Sequence, residues 1–196
     1  MHLVFKRDSN GTVEQMVKLL SGEMIHVDII PNEPALSAYT SYMFESFSKN
    51  KIENTYSPST HTTLYIPLTE EENARAITFL TSCVDRNVPY NYSDIFRCVL
   101  PGNSLLSDVS PDNFSTLFCS QAVVLCLRTA LEPDHLAFTV VKQLNSRITT
   151  PQTLYNMISP FCKEVDSIYS QPQIIATAAG GPPSPNSGDA TPGEDS

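Results

Sequence analysis

The chain has 196 residues, a net charge of −9 and five cysteines, Cys83, Cys98, Cys119, Cys126 and Cys162. That charge argues against general nucleic-acid binding, which requires a basic face. An odd cysteine count without a CxxC spacing suggests neither a disulfide framework nor a zinc site.

The first residues, MHLVFKRDSNG, carry no long apolar core and no small-residue cleavage site, so no signal peptide is expected. No stretch approaches the roughly 18 to 20 apolar residues of a membrane span. The expectation is a soluble protein of a reducing compartment, the cytoplasm. Residues 1–170 have the length and apolar content of one domain, whereas 171–196 form an acidic tail rich in Pro, Gly and Ser. That tail holds too little apolar surface to offset the entropy of ordering and is expected to be disordered.

In chain order, Leu3-Val4-Phe5 reads as a short strand closed by the turn signal Asp8-Ser9-Asn10-Gly11. Val13, Met16, Val17, Leu19 and Leu20 follow at helical spacing, with Gly22 as the stop. Met24 to Pro31 is dense in β-branched residues and predicts a strand, with His26, Asp28 and Ile30 on one face. Ala38 to Ser46 predicts a second strand ending near Glu45, and Lys49 to Ser59 a polar loop. His61 to Leu68 predicts a third strand.

Thr69-Glu70-Glu71-Glu72 has the pattern of a capping box and starts a helix that runs to about Asp85. Val88 to Tyr92 is a connector before a short helix at Ile95 to Leu100. The irregular stretch Ser107 to Ser115 gives way to a strongly apolar helix beginning near Cys119 and closing near Glu132-Pro133. Ala137 to Leu144 fits a strand or a helix. Pro151, in a first-turn position, starts a last short helix.

A thiol in the first turn of a helix sits near unpaired N–H groups and the positive end of the macrodipole, both of which favour thiolate. Cys119 has that placement; Cys126, seven residues on, reads as plain core. For the base, His26 stands in an apolar strand, and His61 is a rival at the start of a later one. For a carboxylate beside the imidazole there are Glu45 and Asp28. Asp28 is two residues along the same strand as His26, an awkward geometry for bonding that ring. A helix-borne cysteine facing a strand-borne histidine is the layout of papain-like thiol enzymes, here with the histidine first in the chain.

Five segments carry a family resemblance. They are Gly22-Glu23-Met24-Ile25-His26-Val27-Asp28-Ile29-Ile30, Tyr42-Met43-Phe44-Glu45-Ser46, Val88-Pro89-Tyr90-Asn91-Tyr92, Phe118-Cys119-Ser120-Gln121 and Thr150-Pro151-Gln152-Thr153-Leu154. In that order they resemble the circularly permuted NlpC-type papain-like proteins, a group that includes bacterial YiiX-like proteins and proteins of poxviruses and other large DNA viruses. Two positions depart from the family: Gln121 stands in place of a glutamate, and Asp28 in place of a small or apolar residue.

The resemblance implies an α+β fold in which an antiparallel sheet packs against the nucleophile helix. It implies Cys119 as nucleophile, His26 as base and Glu45 as the residue that orients the imidazole. The backbone N–H of Cys119 would be one oxyanion donor, with Tyr90, Tyr92 and Gln121 as side-chain candidates. The implied chemistry is acyl transfer through a thioester on a peptide or protein amide, without metal or cofactor, in the host cytoplasm if the chain is viral. Two alternatives stay open: a thiol acyltransferase or lipid acyl hydrolase, and a non-enzymatic module binding a host or viral partner.

Overall fold

A computed structural model describes residues 1–8, 11–32, 56–99 and 106–166. The expected strand at 38–46, with Glu45, and the tail at 171–196 lie outside the described residues. Those described form a mixed α+β unit: a four-stranded antiparallel sheet and six helices.

The strands are β1 (His2–Lys6), β2 (His26–Ile30), β3 (His61–Tyr65) and β4 (Lys163–Val165), in the order β2-β1-β3-β4. Register places Phe5 between Val27 and Thr62, and Leu3 between Ile29 and Leu64. Because side chains alternate across a strand, Leu3, Phe5, Val27, Ile29 and Leu64 share one face, and all five belong to the core. The opposite face carries His26 and Asp28 on β2, Val4 and Lys6 on β1, and His61 and Thr63 on β3.

The helices are α1 (Thr12–Ser21), α2 (Glu70–Asp85), α3 (Tyr92–Val99), α4 (Cys119–Ala130), α5 (Phe138–Gln143) and α6 (Pro151–Ile158). Thr69 and Glu72 close the expected capping box on α2, and Thr150 caps α6 with Pro151 in the first turn. The ambiguous stretch 137–144 is helical, as α5.

α4 is the pivot. All but Arg128 and Thr129 of its residues are buried, and it packs on β2, α2, α5 and α6. Its far end is held by Arg128, which forms a 2.7 Å ion pair with Asp108 and donates to the carbonyls of Val141 and Leu144. Its near end is tied by Ser120 Oγ, which donates to Thr149 O at 2.7 Å. Anchored at both ends, α4 holds its first residue, Cys119, at a fixed place beside β2. No helix among the described residues is long and apolar enough to cross a membrane.

Candidate active site

Three chain segments converge on the Cys119 sulfur. The first is α4 itself. Its N-cap, Phe118, is extended and offers no side-chain bond, and the first helical bond runs from Ala122 N to Phe118 O. The N–H groups of Cys119 and the next two residues therefore have no intrahelical acceptor.

The second is β2. Its start is fixed by Gly22, which ends α1 at φ +117°, and by Gln152 of α6, whose Oε1 accepts from Met24 N at 3.0 Å. From there β2 presents the His26 imidazole, hydrogen-bonded to the thiol, and the Val27 backbone, which also bonds the sulfur.

The third is the segment before α3. Leu117 N donates to Pro89 O at 3.1 Å, and Asn91 N donates to Leu117 O at 2.8 Å. Asn91 Nδ2 adds a bond to Thr116 Oγ1 at 2.8 Å. This short zipper carries Tyr90 alongside the residues leading into Cys119, and the Tyr90 side chain hydrogen-bonds the thiol. Tyr92 packs edge-on against the Tyr90 ring, with centroids 4.7 Å apart.

The imidazole is held from its other side by a carboxylate. His26 Nε2 lies 3.0 Å from Asp28 Oδ1, and Asp28 is only 4 % exposed. The awkward spacing anticipated for this pair does not hold. Residues two apart on one strand face are separated by about 6.6 Å, a gap that an imidazole and a carboxylate leaning toward each other close. Asp28 Oδ2 in turn accepts from the Tyr56 hydroxyl at 3.1 Å.

The electrostatics follow from this packing. Burial alone would lower the His26 pKa, but the charges of Asp28 and of the Cys119 sulfur, with hydrogen bonds to both, outweigh it and hold the imidazole well above 6.5. Burial alone would push the Cys119 thiol up. The His26 charge, the hydrogen bonds from His26 and Tyr90, and the Val27 backbone outweigh that burial and bring it below 9.0. The remaining cysteines run the other way: burial pushes Cys83 up to about 11 and Cys98 and Cys162 up to about 12, and it raises Cys126 further.

Of the residues expected from sequence, Cys119, His26 and Tyr90 are therefore together, with Tyr92 behind Tyr90. Comparison with protein-family models, curated proteins and solved structures gave no match to this chain. Gln121 is buried, but it sits about 200° around α4 from Cys119, away from the face that carries the sulfur. Its Oε1 has no hydrogen-bond partner among the described residues.

His61, the rival base, lies on β3 with β1 between it and β2, and its Nδ1 is 2.8 Å from Thr60 Oγ1. No group of His, Cys, Asp and Glu among the described residues is arranged to hold a metal ion. Tyr56 and the Val27 backbone were not anticipated. Neither has a sequence signal, since Tyr56 lies within a polar stretch with no periodicity and a backbone N–H has no side-chain signature.

Proposed function

We propose that this chain is a thiol hydrolase of the permuted papain-like kind, which cleaves an amide bond in a peptide or protein through a thioester on Cys119. The observation that carries the reading is the convergence, on one buried sulfur, of an imidazole oriented by a carboxylate, a tyrosine hydroxyl and an uncapped helix start. A low-pKa thiol beside a high-pKa imidazole is a thiolate–imidazolium pair formed before substrate arrives, the resting state that a cysteine nucleophile needs.

In this scheme the Cys119 thiolate attacks the carbonyl carbon, forming the C–S bond. The developing oxyanion accepts from the Cys119 backbone N–H and the Tyr90 hydroxyl. Because Asp28 engages Nε2, Nδ1 is the nitrogen left to serve the sulfur and the leaving group. His26 gives its proton from there to the amine as the C–N bond breaks. Water, deprotonated by the now neutral His26, attacks the thioester; the acid leaves and the thiolate–imidazolium pair is restored. Asp28 acts through His26 by fixing its tautomer and orientation, the role the family resemblance gave to Glu45. A thiolate of this kind stays reduced in the cytoplasm, the compartment we assign.

The test uses the full chain and a peptidyl chloromethyl ketone library. Cys119 should be the one residue alkylated, and peptide-amide hydrolysis should be lost in Cys119→Ser and His26→Ala. Labelling spread over several cysteines, or hydrolysis unchanged in Cys119→Ser, would overturn the reading.

A further inference from the structure

The sheet face that carries His26 holds a further layer of the same site, and we infer that Tyr56 is a positioning residue that pins the Asp28 carboxylate against His26, with His61 bracing the Tyr56 ring. This deepens the proposed site and rests on it for its catalytic meaning, but its geometry can be tested on the protein alone.

The two oxygens of Asp28 have different donors. Oδ1 faces His26 Nε2 at 3.0 Å, and Oδ2 accepts from the Tyr56 hydroxyl at 3.1 Å. A carboxylate held by one donor turns freely about its terminal torsion, whose well is broad. One held at both oxygens has its plane fixed, and with it the direction of the bond to the imidazole.

The hydroxyl is itself held in place. The Tyr56 ring meets the His61 ring edge to face, with centroids 5.3 Å apart at 81°. The turn between these two residues is closed by Thr60 N and His61 N, which donate to Ser57 O at 3.0 and 2.8 Å. Arg7, just past β1, grips the turn from outside. Its Nη2 donates to Pro58 O at 2.6 Å and to His61 O at 3.2 Å, and its backbone N to Thr60 O at 2.8 Å. Tyr56 is thus located by β1 and β3, the imidazole by β2 and the sulfur by α4, and the carboxylate of Asp28 joins the first of these to the second.

Among the described residues, the charged and titratable groups around this chain of bonds include Arg7 on the turn, His26, Asp28, His61, Lys6 and Glu14. His26 faces Asp28 and the Cys119 sulfur. His61 is lowered by burial, raised by the Ser57 backbone and by Asp28, and lowered again by Lys6 and His26, with a net fall below 6.5. Lys6, which lies between the two histidines in register, forms a 2.8 Å ion pair with Glu14.

The experiment is a ring-proton NMR titration of His26 in the full chain, as wild type, Tyr56→Phe, Asp28→Asn and the double variant. Tyr56→Phe keeps the ring packed on His61 and removes only the hydroxyl. It should lower the His26 midpoint by about half a unit or more, as expected when a charge-assisted bond loses its alignment. In the Asp28→Asn background the same change should shift the midpoint by less than about 0.2 units, because Tyr56 is assigned to reach His26 through that carboxylate. His61→Gln, which leaves the hydroxyl and removes the brace, should give a smaller shift of the same sign.

An unchanged midpoint in folded Tyr56→Phe, or an equal shift with and without Asp28, would overturn the assignment. The titration needs no substrate. A chain that cleaves no amide yet shows this dependence keeps Tyr56 in its role and removes only the hydrolase reading.

Discussion

Cys119 differs from the other four cysteines in what touches its sulfur rather than in how deeply it lies. All four of the others are raised by burial, and burial raises Cys119 as well; for Cys119 the His26 ring, the Tyr90 side chain and the Val27 backbone reverse the effect. His26→Ala therefore leaves burial to dominate. The thiol should rise, and its alkylation at neutral pH should slow, by up to about tenfold for each unit the thiol climbs above the working pH, read by mass spectrometry of the modified peptide. Tyr90→Phe removes a donor to the sulfur and, in the proposed reaction, to the oxyanion. It should cut kcat by about 10²-fold with KM little changed, measured on whichever peptide amide the library identifies. The residue types of this site were legible in the sequence: a cysteine at a helix start, a histidine in an apolar strand, a tyrosine in the connector. The carboxylate was legible as a residue, but not its bond: a residue two along the same strand reads as awkwardly placed for the imidazole, and the two side chains close that gap by leaning together to 3.0 Å. Tyr56 was not legible at all, since its role exists only once β3 brings it over Asp28.

At the scale of elements, the site depends on where β2 starts and where α4 ends. Gly22 has φ +117°, and a Cβ there would lie 2.7 Å from Gln152 Cγ, the side chain that holds Met24 N. Gly22→Ala should cost about 1–3 kcal/mol, seen as a lower denaturant midpoint, and should reduce Cys119 reactivity through the displaced start of β2. Arg128→Met strips the C-terminal carbonyls of α5 and leaves Asp108 without its ion pair. A loss of about 2–3 kcal/mol is expected, since a largely buried network is broken on one side, again read from denaturant unfolding. Local signals announced most of these elements: the Thr69–Glu72 capping box, Gly22 as a stop, Pro151 in a first turn. Sheet order was not announced. β1 pairs with both β2 and β3 across long stretches of chain, and β4 is three residues long, too short to show a period.

For the molecule as a whole, α4 acts as a buried axle that carries Cys119, the proposed nucleophile, at one end, while the sheet and the segment before α3 bring the histidine and the tyrosine to it. The almost entirely apolar lining of this axle works against the proposed charged pair, since burial alone disfavours both of its members; what offsets it is local. That pair is net neutral, and its partners face each other rather than the core. The rate of Cys119 alkylation by iodoacetamide as a function of pH tests this account most directly. Because the folded chain lowers the thiol and raises the imidazole, the thiolate should persist as pH falls below 9.0 and be lost only below the lowered Cys119 value. The account predicts that Cys119 is still modified at pH 6, ahead of Cys83, Cys98, Cys126 and Cys162, with that lead lost in His26→Ala. A Cys119 rate that climbs tenfold per pH unit up to pH 9, in step with an ordinary thiol and indifferent to His26, would contradict it.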